Sequence, residues 1–78
     1  MIFELMSETA QHQVRLLKDI RKSTRASQRA VINAGDESKM STHRIGEAIA
    51  PFQRVIDQIN VELEGINRAE SIRQNGRN

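Results

Sequence analysis

In the second half of the chain, apolar residues recur at alternating steps of four and three, with polar residues between them. This spacing is typical of a helix that lies along another helix. We call the seven apolar residues the heptad stripe: Ile45, Ile49, Phe52, Ile56, Ile59, Leu63 and Ile66. The stripe predicts a long amphipathic helix over about residues 37–73, and it ends where Glu70 and Arg73 take the next two positions.

The first half of the chain predicts a second amphipathic helix, over about residues 2–33. Apolar side chains gather on one side of it, and we expect Leu16, Leu17 and Ile20 to supply its contact with the heptad stripe. After Ile20 this side continues mainly with threonine, serine and alanine. The second half of this helix should therefore pack weakly, or very closely against a partner backbone.

A short polar segment around Gly35 separates the two predicted helices. Gly35 suits the C-terminal end of the first helix, and Asp36 suits the N-cap of the second. We therefore predict an all-α helical hairpin, built from residues 1–34, 35–73 and a frayed tail, 74–78. One bent rod through Gly35 is the alternative, because a glycine inside a helix costs only about 1 kcal/mol relative to alanine.

Pro51 falls inside the second predicted helix. A proline in a helix interior has no N–H for the carbonyl four residues back, here that of Glu47, and its ring clashes with that carbonyl. Because Phe52 keeps the spacing of the heptad stripe, we expect the helix to kink near Pro51. A separate helix that starts at Pro51 is the alternative.

The chain has few means of stabilising itself alone. It has 78 residues, no cysteine, tryptophan or tyrosine, and 28% charged residues. So small a domain buries little surface, and disulfides and thiolate metal sites are excluded. Two helices with one narrow apolar stripe each would also leave apolar surface in water. We therefore expect a coiled-coil homo-oligomer or a place in a larger protein assembly, with helix number and direction left open.

Positive charge is concentrated in the first helix. Five cations, spaced by three and four residues, fall opposite its apolar side, and we call them the basic stripe: Arg15, Lys18, Lys22, Arg25 and Arg29. Such a stripe can be a solvated face, contact an acidic protein, or follow the phosphates of nucleic acid. No aromatic residues alternate with these cations to stack on bases, so nucleic-acid binding is not the favoured interpretation.

The sequence contains no pattern that predicts catalysis, a cofactor or a metal. Its glycines do not cluster into a phosphate loop, and two helices offer no concave pocket that excludes water. His12 and His43 each have a glutamate one turn away, Glu8 and Glu47, but such a pair supplies only two ligands of a metal site. We expect neither an enzyme nor a cofactor or metal site.

No apolar run approaches the ~20 residues of a membrane-spanning helix. Glu4 interrupts the apolar N-terminus, so we expect no signal peptide. The expected location is the cytoplasm, or a virion assembled there.

Residues 17–63 resemble small coiled-coil proteins encoded in the structural and lysis regions of bacteriophages. The resemblance rests on residues 18–23, residues 29–31 and the heptad stripe. Many lysis-region proteins carry a C-terminal membrane helix that this sequence lacks, so the resemblance implies a structural role in the head-tail region or tail of a virion. Two alternatives are a nucleic-acid-binding accessory protein and a small helical regulator that docks on a partner protein.

Overall fold

The computed structural model describes residues 5–76, which form two antiparallel helices joined by a four-residue loop. Helix α1 spans Glu8–Glu37 and helix α2 spans Thr42–Asn75. They pack side by side into a rod about 59 Å long and 17 Å wide. This hairpin confirms the all-α prediction for the described residues and excludes the single bent rod.

Helix α1 begins later than the sequence predicts. The predicted start at residue 2 lies outside the described residues, but Met6 and Ser7 are not helical and the helix starts at Glu8. Ser7 is the N-cap, because its Oγ accepts a hydrogen bond of 3.2 Å from the backbone N–H of Ala10. A serine in this position satisfies an N–H group that has no partner within the helix.

The end of α1 also differs from the prediction, because Gly35 lies inside the helix and Asp36 caps nothing. The left-handed residue that ends α1 is Lys39, with φ of 57°. Its N–H bonds to the Asp36 carbonyl, and the N–H of Met40 bonds to the Gly35 carbonyl. These two bonds form a Schellman motif, with a lysine where glycine is usual.

Helix α2 starts after Ser41, whose Oγ accepts from the backbone N–H of Arg44. The helix runs through Pro51 without a break, so a separate helix does not begin there. It continues to Asn75, two residues beyond the predicted end, and the Gly76 N–H bonds to the Ile72 carbonyl. The predicted frayed tail is therefore helical at residues 74 and 75, and residues 77–78 lie outside the described range.

The best-packed region lies near the chain termini, far from the loop. Its core consists of Met6, Ala10, Val14, Ile59 and Leu63, with Leu17 and Ile66 packed against it. The heptad stripe faces α1 throughout: Ile56, Ile59 and Leu63 are buried, and its other four residues are half-buried. The described helices contain no stretch long and apolar enough to cross a membrane.

The side of α1 that faces α2 agrees only in part with the one predicted from apolar residues. Leu17 is half-buried, but Leu16 and Ile20 are 48% and 49% exposed, whereas Ala10 and Val14 are buried. Ten positions of α1 are buried or half-buried, and all but Gln11 and Ile32 keep steps of three and four, although they include polar residues: Ala10, Val14, Leu17, Arg21, Thr24, Gln28, Val31 and Gly35. Polar residues occupy some of the contact positions of α1. A prediction based on apolar residues alone is therefore shifted towards the neighbouring face, which carries Leu16 and Ile20.

Candidate interaction surfaces

A polar cluster joins the N-terminus of α1 to the C-terminal part of α2. The Oε1 atom of Glu70 accepts hydrogen bonds from the backbone N–H of Ser7, at 2.9 Å, and from the Ser7 hydroxyl, at 3.0 Å. Arg73 donates through Nε to the other Glu70 oxygen and through Nη2 to the carbonyl of Leu5. We call these four residues the cross-helix cap. They fix α1 against α2 at the end of the rod opposite the loop.

The environment of Glu70 favours its ionised form. The Arg73 guanidinium, first, and the Ser7 N–H, second, hold the pKa of this carboxyl below its ordinary value of 4.5, although burial opposes them. The Glu70 side chain is also close to the N-terminus of α1, where the helix dipole favours negative charge. The sequence places Glu70 at the position after Ile66 in the heptad stripe, but it does not show that Ser7 is its partner.

An apolar groove runs between the helices on one side of the rod, with a volume of about 580 Å³. This apolar groove is lined by eight residues: Gln13, Leu16, Leu17, Ile20, Glu62, Gly65, Ile66 and Ala69. The side chains of Leu16 and Ile20 stand beside it about half exposed, whereas Gly65 and Ala69 contribute little bulk. Four of the residues predicted for an oligomer or partner interface thus lie here: Leu16, Leu17, Ile20 and Ile66.

The same side of the rod has a second depression that begins at Ile20. Phe52, Ser23 and Ser27 also line it. Because Ile20 lines both depressions, the apolar groove continues towards the loop as a surface of small and apolar side chains. Apart from Phe52 and Ile66, the residues of the heptad stripe line neither of these two depressions.

The basic stripe is exposed along its whole length. Within the described residues, no ion pair involves Lys18, Lys22, Arg25 or Arg29. Arg25 and Arg29 border another groove between the helices, which we call the second groove. Gln28, Gln53 and Asn60 also line it. This groove and the apolar groove lie on opposite sides of the rod. At about 3.6 residues per turn, Arg25 and Arg29 fall on one flank of the face of α1 that contacts α2, and the residues of the apolar groove on α1 fall mainly on the other.

Side-chain hydrogen bonds cross between the helices on this second side. Arg21 donates to Asn60 Oδ1 at 2.6 Å, and Gln28 donates to Gln53 Oε1 at 3.1 Å. Arg21 is therefore occupied in holding the helices together. Arg21 and Gln28 thus have polar partners on α2, whereas the Thr24 hydroxyl donates to the Ile20 carbonyl within α1.

The histidines show no arrangement that would hold a metal. His43 pairs with Glu47 at 2.7 Å, one turn away on an exposed face. In residues 5–76, no three or more His, Cys, Asp or Glu side chains are grouped as metal ligands.

Comparison of the chain with models of protein families, with curated proteins and with solved structures gives no match.

Proposed function

We propose that the hairpin is a structural subunit that acts by helix–helix association, with a second copy of the chain seated on the apolar groove. The observation that carries the proposal is the half-exposure of Leu16 and Ile20 beside this groove. Apolar side chains that lie together beside a groove, rather than scattered singly, favour association. The two alternatives from the sequence are binding of a different protein at this groove and binding of nucleic acid elsewhere.

The limited core of the hairpin supports association. No described side chain is less than 2% exposed, and the buried apolar residues come from only a few turns of each helix. A chain of this size gains limited free energy from burial unless further surface is covered. Burying the half-exposed parts of Leu16 and Ile20 would contribute at about 25 cal/mol for each Å² removed from water.

The shape of the groove supports a second copy as its occupant. Leu16 and Ile20 form a ridge, and Gly65 and Ala69 leave a trough beside it on the same face. A two-fold axis brings the ridge of each copy to the trough of the other, which is the arrangement of an isologous dimer. The result is a four-helix bundle, with Gln13 and Glu62 at the polar rim of the contact.

The first test compares the solution mass of the wild-type chain with that of two variants by sedimentation. Ile20→Asp places a charge in the apolar groove, and Val61→Asp places the same charge on a residue that is 61% exposed and does not line it. We expect wild type and Val61→Asp to form the same discrete oligomer and Ile20→Asp to be a monomer with unchanged helicity. Equal masses for both variants, or a wild-type monomer at high concentration, would refute self-association.

A second pair of variants fills the trough. A Cβ atom added at Gly65 or Gly46 meets no atom within 4 Å, so a side chain at either position begins in open space. Both variants should raise hairpin stability by up to about 1 kcal/mol through helix propensity. Gly65→Leu should abolish the oligomer, and Gly46→Leu should keep it. Substitution of Ile56 or Ile59 by aspartate is no test of association, because both are buried within the hairpin.

The resemblance of residues 17–63 to small phage coiled-coil proteins supports a finer proposal, in which the assembly is part of a bacteriophage particle. No other observation bears on it. The test is the protein composition of purified phage particles. We expect them to contain the chain in a fixed copy number, and we expect particles assembled without it to be defective. Its absence from purified particles would leave the association intact but refute the virion role.

A further inference from the structure

Charge is segregated along the hairpin. Six cations and one carboxylate lie between residues 14 and 30, a net charge of +5, whereas the whole chain carries +2 and its other residues therefore carry −3. This segment is the middle of α1, and most of its cations belong to the basic stripe. The hairpin is thus a rod with one strongly positive band.

Four cations of this band are available to a ligand. All five side chains of the basic stripe are exposed, and Lys18, Lys22, Arg25 and Arg29 have no ion pair within the described residues. At 1.5 Å per residue, the stripe runs for about 21 Å in a nearly straight line along the rod. Parallel to it lie the amide side chains of Gln28, Gln53 and Asn60 in the second groove.

We propose that the basic stripe binds the phosphate backbone of double-stranded nucleic acid without reading its sequence. A duplex carries one negative charge per ~1.7 Å of its axis, so a row of cations about 21 Å long lies in a strong negative potential wherever it rests on the duplex. Arginine, which makes up three of the five residues, offers a planar set of donors that matches phosphate oxygens. Amide side chains beside the row are further donors to phosphate and sugar oxygens.

An acidic protein is a poorer fit to this face than a duplex. Stable protein contacts need buried apolar or aromatic anchors at their centre. Among the described residues between 14 and 30, the only large hydrophobic residues that are about half exposed are Leu16 and Ile20, and both line the apolar groove on the opposite side. The basic stripe therefore offers charge without anchors, which suits a phosphate backbone.

The same chemistry favours a duplex over a single strand. Proteins that hold single strands usually stack the bases on aromatic side chains. The stripe contains no aromatic residue, and the chain has only two, Phe3 and Phe52. Phe52 lies in the depression continuous with the apolar groove, on the other side of the rod. The proposal does not depend on self-association, because one hairpin carries the complete stripe.

The test measures binding of the full chain to a fluorescent DNA duplex of about 20 base pairs, and to the matching RNA duplex, over a range of salt concentrations. We expect log K to fall with log salt at a slope of about −4, as four or five contacted phosphates release their counterions. Comparison of the affinities for the DNA and RNA duplexes shows which of the two nucleic acids the stripe prefers. A matching single strand and poly-glutamate serve as the competing ligands.

Two double variants of equal charge locate the site. Lys22→Glu with Arg25→Glu reverses two cations of the stripe, and Arg44→Glu with Arg54→Glu reverses two exposed cations of α2. Each reversal lowers the net charge by two, so both variants change from +2 to −2. We expect the stripe variant to lose at least about tenfold in affinity and the α2 variant to lose much less. Helicity by circular dichroism confirms that both are folded.

Other outcomes overturn the proposal. Equal losses in the two variants would mean that only net charge matters. Equal or tighter binding of poly-glutamate or of the single strand would assign the stripe to another class of ligand. No binding of either duplex by the wild-type chain at about 50 mM salt would make the stripe a solvated face.

Discussion

The carboxylate of Glu70 completes the N-cap of a helix that begins after Ser7, 63 positions away in the sequence. In a capping box, a glutamate at the third helical residue accepts from the N–H of the capping serine. In α1 that third residue is Ala10, which is buried and whose side chain has no hydrogen-bond acceptor. Glu70 performs this role from the neighbouring helix, so the start of α1 and its register against α2 are fixed together.

Replacing Ser7 by alanine should destabilise the hairpin more than replacing Ser41. Each serine caps a helix, and loss of a cap costs about 1 kcal/mol. Ser7→Ala also removes the hydroxyl bond to Glu70, whereas no such contact exists at Ser41. Urea unfolding followed by circular dichroism gives both free energies. If the two variants lose the same amount, the hydroxyl contact with Glu70 contributes nothing to stability.

The stability of the hairpin should fall in acid because of Glu70. Its pKa is lower in the folded chain than the ordinary value of 4.5, so the folded state binds this proton less readily than the unfolded state. The contribution is complete above pH 4.5 and is lost as the pH falls through the lower, folded value. Urea titrations across this range should show a smaller decline for Glu70→Gln than for wild type. Glu64→Gln, at an exposed i,i+4 pair with Arg68, should decline like wild type.

Gly35→Ala should destabilise the hairpin, although alanine is the better helix former. A Cβ atom at this position would lie 2.7 Å from Cγ1 of Ile45. Overpacking of this kind costs about 1–3 kcal/mol, against about 1 kcal/mol gained from helix propensity. The double variant Gly35→Ala with Ile45→Ala should show non-additive losses, because the second change removes the clash. An increase in stability for Gly35→Ala alone would contradict the close packing.

Ile59→Ala and Ile20→Ala should differ sharply in thermal unfolding at low chain concentration. Ile59 is 5% exposed and belongs to the core, so its truncation should cost about 2–4 kcal/mol. Ile20 is 49% exposed in the hairpin, so its truncation should cost less than about 1 kcal/mol there. Similar losses for both would place Ile20 in the intramolecular core after all.

Helix α2 could be predicted from the sequence because its contact positions are apolar without interruption from Ile45 to Ile66. Those residues face α1 at every position of the stripe. The contact face of α1 could not be predicted in the same way. Arg21, Thr24 and Gln28 occupy contact positions there. Whether a polar residue is buried depends on its partner, and that partner is visible only when both helices are in place.

The connection between the helices was mispredicted for a related reason. Gly35 stands near the end of α1, and glycine is the usual residue there, so the sequence favours it as the terminator. Its actual role is to let Ile45 approach the helix, which depends on tertiary packing. Lys39 takes the left-handed conformation instead, and no property of lysine predicts this.

The position of the core has a consequence for how the chain folds. The buried residues pair Met6, Ala10 and Val14 with Ile59 and Leu63, so the best contacts join segments far apart in sequence. A nascent hairpin near the loop gains little packing, and a long loop must close before the core forms. During synthesis, α1 therefore lacks its core partners until Leu63 has been added, and the chain should remain open to proteases at least until that point.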